Sequence, residues 1–165
     1  MKTILVTGAT GFLGRSFLKS LQKEQQDIKV FCVGFGDTHF IDDKRFVWIQ
    51  CDLLDATQRK KLIETIRPLY CIHFAWFVPP REHWYSVKNV EWVYASAHLF
   101  ELFCSYGGKV FLGAGSMAEY SLATGFLDED HTPLQPETLY GQSKKSLFEL
   151  LLKIRNGSYK DVILL

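Results

Sequence analysis

The chain has 165 residues, 47% of them hydrophobic, which is enough for one domain with a buried core and excludes a disordered protein. Its 19 basic and 18 acidic side chains nearly cancel, so the basic surface that attracts nucleic acids and anionic membranes is lacking, and a small-molecule ligand fits better. The opening strand is too short for a signal peptide and no later apolar run has membrane-spanning length, so we expect a cytoplasmic protein.

The first predicted strand, residues 2–7, leads directly into a turn with three regularly spaced glycines. Gly8 suits a tight turn, Gly11 leaves room for a pyrophosphate, and Gly14 allows a helix to pack closely on the strand. The free amides and the dipole at the start of the following helix attract phosphates. This segment therefore predicts a dinucleotide-binding turn.

Strands and helices alternate along the rest of the chain. The predicted strands are residues 2–7, 28–34, 46–50, 69–75, 109–113 and 161–165, and the predicted helices are 12–25, 56–67, 84–106 and 140–156. Such alternation predicts a parallel sheet, and right-handed crossovers place helices on both of its faces. We therefore expect a doubly wound, Rossmann-type α/β fold of three layers, with a ligand crevice at the carboxyl ends of the strands.

Small and polar residues follow the third and fourth strands at this edge. Asp52 can accept a hydrogen bond from an adenine amino group or cap a helix, and both interpretations stay open. Ala75 is small enough for a cofactor to lie against its backbone, whereas His73 is expected to be structural. Trp76 either lines a pocket for a flat or apolar group or packs in the core.

Three residues near the fifth strand and the last helix can move a proton. Tyr140 and Lys144 are four residues apart at a helix start and so share one face. Lowering a phenol pKa from about 10 to neutrality requires roughly 4 kcal/mol, which a nearby cation and a helix N-terminus can supply. Ser116 can hold a substrate oxygen at the same edge. The alternatives are an exposed Tyr–Lys pair and a serine that caps a turn.

The cysteines are far apart in apolar segments, and no pair has the spacing of a metal or redox motif. They are Cys32, Cys51, Cys71 and Cys104. The five histidines also lack ligand spacing, so we expect reduced core cysteines and no metal site.

Together these motifs resemble the extended short-chain dehydrogenase/reductase family, of the NAD-dependent epimerase/dehydratase type that acts on nucleotide sugars. The matching motifs are Thr7-Gly-Ala-Thr-Gly-Phe-Leu-Gly14, Asp52-Leu53, His73-Phe-Ala75, Asn89, Ser116 with Tyr120, and Tyr140-Gly-Gln-Ser-Lys144. The resemblance implies a single NAD(P)-binding domain over residues 1–165. The residues predicted to bind the cofactor are Gly8, Thr10, Gly11, Phe12, Leu13, Gly14, Asp52, Leu53, Phe74, Ala75, Trp76, Asn89, Tyr140 and Lys144.

The resemblance also implies catalytic roles. Tyr140 is the acid/base, Lys144 binds the ribose and lowers the phenol pKa, and Ser116 orients a nucleotide-sugar substrate whose carbon exchanges hydride with the nicotinamide. The resemblance implies NAD or NADP as the cofactor, and the choice between them stays open. The family has an acid after the second strand that selects NAD, whereas here Gly34 occupies that position and Asp37 comes three residues later.

The family's carboxyl-terminal substrate lobe has no counterpart in this sequence, so we expect a chain truncated after its cofactor domain. A non-catalytic NAD(P)-binding or interaction module is therefore the alternative to an enzyme. The family often dimerises through two helices that correspond here to 84–106 and the helix of Tyr140. The large apolar side chains of the first helix serve either a homodimer or the core. They are Trp92, Tyr94, Leu99, Phe100 and Phe103.

Overall fold

The computed structural model of the protein describes residues 2–24, 27–35, 40–121 and 125–165. Its strands are β1 (Lys2–Thr7), β2 (Ile28–Val33), β3 (Phe46–Ile49), β4 (Tyr70–His73), β5 (Val110–Gly113) and β6 (Ile163–Leu164). Its helices are α1 (Phe12–Gln22), α2 (Ala56–Ile66), α3 (Lys88–Ser105) and α4 (Leu139–Ser158), with a short 3-10 turn at Met117–Glu119. All strand pairs are parallel, in the order β3-β2-β1-β4-β5-β6. The predicted doubly wound sheet is confirmed.

The sheet separates two apolar cores. Leu18 of α1 packs with Val6 of β1 in one core, while Leu5 packs with Ile63 of α2 and Phe100 of α3 in the other. Leu5 and Val6 belong to different cores because successive strand residues point to opposite faces. The helix α1 therefore covers one face and α2, α3 and α4 cover the other, which gives the expected three layers.

The helix α3 begins at Lys88 and not at the predicted residue 84. The reason is Asn89, whose side-chain amide donates to the carbonyls of His83 and Ser86 at 2.6 and 2.9 Å and so stabilises a turn before the helix. Further along α3, Leu99, Phe100 and Phe103 are completely buried in the core, whereas Tyr94 is 67% exposed. Most of the apolar surface predicted for this helix thus serves the core.

All four cysteines are buried and free, as predicted. Burial raises the pKa of the Cys32 and Cys104 thiols to about 12, which suppresses the reactive thiolate. Within the described residues, no group of three or more His, Cys, Asp or Glu side chains could hold a metal ion. No helix in the described part of the chain is long and apolar enough to cross a membrane.

Candidate functional site

The glycine turn after β1 is shaped by contacts that exclude side chains. Gly8 has a φ of +65°, and a Cβ there would lie 2.7 Å from the amide nitrogen of Ala75 at the end of β4. A Cβ on Gly14 would lie 2.7 Å from Cα of Ala9. Any larger residue at these positions would push the helix or β4 away. The bare backbone surface that results is what a dinucleotide pyrophosphate requires.

The start of α1 offers the matching electrostatics. Gly11 is its N-cap and forms no side-chain capping bond, so the first helical amides keep their capacity to donate to an anion. Phe12 is 88% exposed, and Leu13 is half exposed beside it. Thr10 has a different task, since its hydroxyl donates to the carbonyl of Phe35 at 2.5 Å. Thr10 thereby ties the turn to the end of β2, and its predicted contact with the cofactor remains a prediction.

The position after β2 is closed to side chains. A Cβ on Gly34 would lie 2.7 Å from the hydroxyl oxygen of Thr10. Asp37, the acid expected to influence the choice between NAD and NADP, lies outside the described residues.

The two aspartates that follow β3, Asp52 and Asp55, have different roles. Asp55 caps α2 by accepting from the amides of Thr57 and Gln58. Asp52 is exposed and its Oδ1 accepts from the amide of Leu54 at 2.9 Å, so the carboxylate is fixed at the rim of the sheet and does not cap the helix. Leu53 is buried, and its carbonyl accepts from the guanidinium of Arg59.

A buried hydrogen-bond chain fixes the end of β4. Thr7 Oγ1 accepts from the amide of Ala75 at 3.3 Å and lies 2.7 Å from Nδ1 of His73, whose Nε2 lies 2.8 Å from Oγ of Ser96. Both ring nitrogens of His73 are therefore hydrogen-bonded to buried hydroxyl groups. Burial, with a smaller contribution from the Lys144 charge, lowers the pKa of His73 to about 3. His73 is therefore a neutral structural residue.

Asn89 is a positioning residue for the segment between β4 and α3. It is completely buried, and Oδ1 accepts from the indole Nε1 of Trp76 at 2.8 Å. Because its amide nitrogen also donates to His83 and Ser86, the whole side-chain amide is used within the protein. Phe74, also predicted to bind the cofactor, packs edge to face on Phe17 at 5.8 Å between ring centroids.

Ser116 follows β5 and begins the 3-10 turn. Its Oγ accepts from the amide of Ala118 at 3.2 Å, and its own amide donates to Oε1 of Glu119 at 2.6 Å. This is the reciprocal capping box. Sequence reasoning missed Glu119, although Ser-x-x-Glu after a strand is the signal for such a box. Burial raises the pKa of Glu119, while the Ser116 amide and the Lys144 charge act against that shift.

Tyr140 and Lys144 lie in the first two turns of α4, as predicted. Thr138 caps the helix by accepting from the amide of Gly141 at 3.1 Å. Lys144 is only 8% exposed, and its ammonium lies 4.3 Å from the centroid of the Trp76 indole. Burial lowers the pKa of Lys144 to about 8, and Glu119 opposes that decrease. The ammonium is therefore mainly charged at neutral pH.

Ser116 and Lys144 line one cavity of about 680 Å³ between the ends of β5 and β6 and α4. Glu119 and Tyr120 also line it, with Phe148 on its apolar side. Tyr140 is not among the described residues that form its wall. Its ring packs edge to face on His83 and Trp84, at 5.0 and 5.8 Å between centroids. The structure thus brings Ser116 and Lys144 together and places Tyr140 one helical turn away, under the loop before α3.

The model of the family described as "NAD dependent epimerase/dehydratase" matches residues 4–164, nearly the whole chain.

Solved enzymes share this architecture. The UDP-Glc/GlcNAc 4-epimerase of Campylobacter jejuni is 21% identical and superposes with a TM-score of 0.80 over 98% of this chain and 51% of its own. The UDP-glucose 4-epimerase of Thermus thermophilus, solved with NAD, is 22% identical and superposes with a TM-score of 0.81 over 98% of this chain and 53% of its own. The dTDP-glucose 4,6-dehydratase of Bacillus anthracis, also solved with NAD, is 20% identical and superposes with a TM-score of 0.79 over 99% of this chain and 53% of its own. Identity this low shows the fold, and the chain spans about half the length of these structures.

Proposed function

This chain belongs to the NAD-dependent epimerase/dehydratase family, and we propose that it is the cofactor-binding part of an enzyme that epimerises, dehydrates or reduces nucleotide sugars. One observation carries the proposal. The steric cradle formed by Gly8, Gly14 and Ala75 lies at the same sheet edge as the cavity that Ser116 and Lys144 share. Solved relatives of this fold hold NAD or act on nucleotide sugars according to their names, which supports the same ligands here.

The residues of this chain fit NAD in three places. The backbone at Gly8 and Gly11 and the start of α1 hold the pyrophosphate, and Lys144 binds the nicotinamide ribose. Asp52, at the rim of the sheet, accepts from the adenine amino group. When bound, NAD supplies a carbon that takes up a hydride from the sugar and can return it.

The catalytic roles in the proposal follow from the chemistry of the three side chains and from the resemblance of the motifs to the family. Ser116 holds the reacting sugar oxygen by a hydrogen bond. Tyr140, as a phenolate, takes the proton from that hydroxyl while the carbon that bears it loses the hydride, and returns the proton in the reverse step. Lys144 lies one helical turn away on α4. Charge is balanced because one proton and one hydride leave the same alcohol.

The test replaces the phenol hydroxyl alone. Tyr140→Phe, in the longest form of the chain that its gene encodes, is expected to lose conversion of UDP-glucose and dTDP-glucose by about 100-fold or more. Binding of NADH, followed by its fluorescence, is expected to persist. Tyr94→Phe, at an exposed site on α3, is the matched control and is expected to retain turnover. Full turnover by Tyr140→Phe would refute the assignment.

A second function, cofactor binding without catalysis, is favoured by the position of Tyr140. Its ring packs on His83 and Trp84 and is not among the described residues that line the Ser116 cavity. Fluorescence titration with NADH and NADPH, followed by assays with both nucleotide sugars, distinguishes the two functions. Binding without conversion of either sugar by the wild type favours the second.

We also propose that two copies of the chain pair through α3 and α4. After core packing, the apolar surface left on α3 includes Tyr94 and Val90, which are 67% and 57% exposed. Light scattering that gives the mass of a monomer would contradict the pairing.

A further inference from the structure

Trp76 follows the residue that contacts the glycine turn and has its indole against Lys144. The preceding residue, Ala75, contacts the turn so closely that a Cβ on Gly8 would lie 2.7 Å from its amide nitrogen. The Trp76 indole then extends to Lys144, whose Nζ lies 4.3 Å from the ring centroid. The indole therefore covers part of the surface of the ammonium that a ligand of Lys144 needs.

The indole is held in this position by its other contacts. Its Nε1–H donates to Oδ1 of Asn89 at 2.8 Å, and its ring lies 6.1 Å from that of Trp92. Asn89 is itself fixed, because it is completely buried and bonded to two carbonyls of the preceding loop. The position of Trp76 is thus specified by a polar anchor and an aromatic neighbour as well as by the cation.

The indole covers one side of the Lys144 ammonium. Among the described residues, the ammonium makes no hydrogen bond and no ion pair within 4 Å, although the side chain is only 8% exposed. Lys144 also lines the cavity that Ser116 lines. A ribose hydroxyl must come within about 3 Å of Nζ to bond it. The indole occupies part of that space.

We propose that Trp76 competes with the cofactor for Lys144 and thereby weakens binding of the nicotinamide ribose. The indole must leave the ammonium and give up its bond to Asn89 before the ribose hydroxyls reach Nζ. Trp76 is then a determinant of cofactor affinity. The inference rests on the proposed function in one respect, namely that Lys144 binds the ribose of NAD.

Fluorescence titration with NADH tests the competition on the full chain. Because a desolvated cation–π contact must be broken, Trp76→Ala is expected to bind NADH about 3- to 10-fold more tightly than the wild type. Trp76→Phe keeps a ring but loses the bond to Asn89, so an intermediate affinity is expected. Trp48→Phe, which changes a tryptophan that packs on Phe40 in the other core, is the matched control, with affinity within about twofold of the wild type. Weaker binding by Trp76→Ala would overturn the inference.

A second measurement does not depend on comparing affinities. The indole N–H signal of Trp76, assigned by its loss in Trp76→Phe, is expected to shift strongly at saturating NAD as its bond to Asn89 breaks. The signal of Trp48, which packs on Phe40 in another part of the fold, should stay in place. An unchanged Trp76 signal at saturation would also overturn the inference. If neither the wild type nor any variant binds NAD or NADP, the proposed function fails as well, whereas binding that Trp76→Ala only weakens leaves that function intact.

Discussion

Gly141 sets how closely the helix of Tyr140 and Lys144 approaches the turn that Ser116 begins. A Cβ at this position would overlap the carbonyl oxygen of Ala118 and lie 2.8 Å from its carbonyl carbon. Since these are backbone atoms, they cannot rotate away, and α4 would have to move outward from the 3-10 turn. Overpacking of this kind costs about 1–3 kcal/mol, so we expect Gly141→Ala to lower the free energy of unfolding by about 2 kcal/mol. For a chain of this size, that corresponds to a decrease in Tm of roughly 4–8 °C.

The same helix supplies the control. Gly157 is exposed near the end of α4, and a Cβ there would meet nothing within 4 Å. Gly157→Ala should therefore keep or raise the stability by up to about 1 kcal/mol, because alanine is the better helix former. Urea unfolding followed by circular dichroism measures both variants, with equal m-values as the check that only stability changed. If Gly141→Ala proves as stable as Gly157→Ala, the close packing inferred at Ala118 is wrong.

Two further substitutions test buried polar groups by the same urea assay. Arg59→Ala removes a completely buried side chain that donates to the Leu53 carbonyl, so we expect the free energy of unfolding to fall by about 3 kcal/mol. Lys60→Ala changes the exposed neighbour and should alter the free energy of unfolding by no more than about 0.5 kcal/mol. Equal effects of the two would contradict the role assigned to Arg59. The pKa of His73 is about 3 in the folded protein and near 6.5 in the unfolded chain. Between these pH values only the unfolded chain binds the proton, so the free energy of unfolding decreases as the pH falls from 6.5 toward 3. The decrease is up to about 1.4 kcal/mol per pH unit. His73→Gln should flatten this slope and the exposed His131→Gln should keep it, and identical slopes would show that His73 is not the titrating group.

Most of the fold could be predicted from local patterns. Buried parallel strands are short apolar runs, and β2, predicted at 28–34, is found at Ile28–Val33. The start of α3 could not be predicted in this way. It depends on the bonds from the Asn89 side chain to two backbone carbonyls, and a periodicity of apolar residues carries no information about such bonds.

One part of the candidate site could be predicted from the sequence and another part could not. The glycine turn was predictable because only glycine lacks a Cβ, and the structure leaves no space for a Cβ at Gly8 or Gly14. The surroundings of Tyr140 were not predictable. His83 and Trp84 reach it from a loop more than 50 residues earlier, and nothing in the sequence near Tyr140 specifies that contact. Lys144 next to Trp76 is a contact of the same long-range kind.

The contact between Gly34 and Thr10 limits which pairs of residues these two positions can hold. An acid after β2 is the common means of selecting the 2′-hydroxyl of NAD, but a side chain there would meet the Thr10 hydroxyl at 2.7 Å from its Cβ onward. An acid at position 34 requires a shorter residue at position 10, and that change removes the hydrogen bond that joins the turn to Phe35. Positions 10 and 34 are therefore sterically coupled, so that a larger residue at position 34 requires a compensating change at position 10.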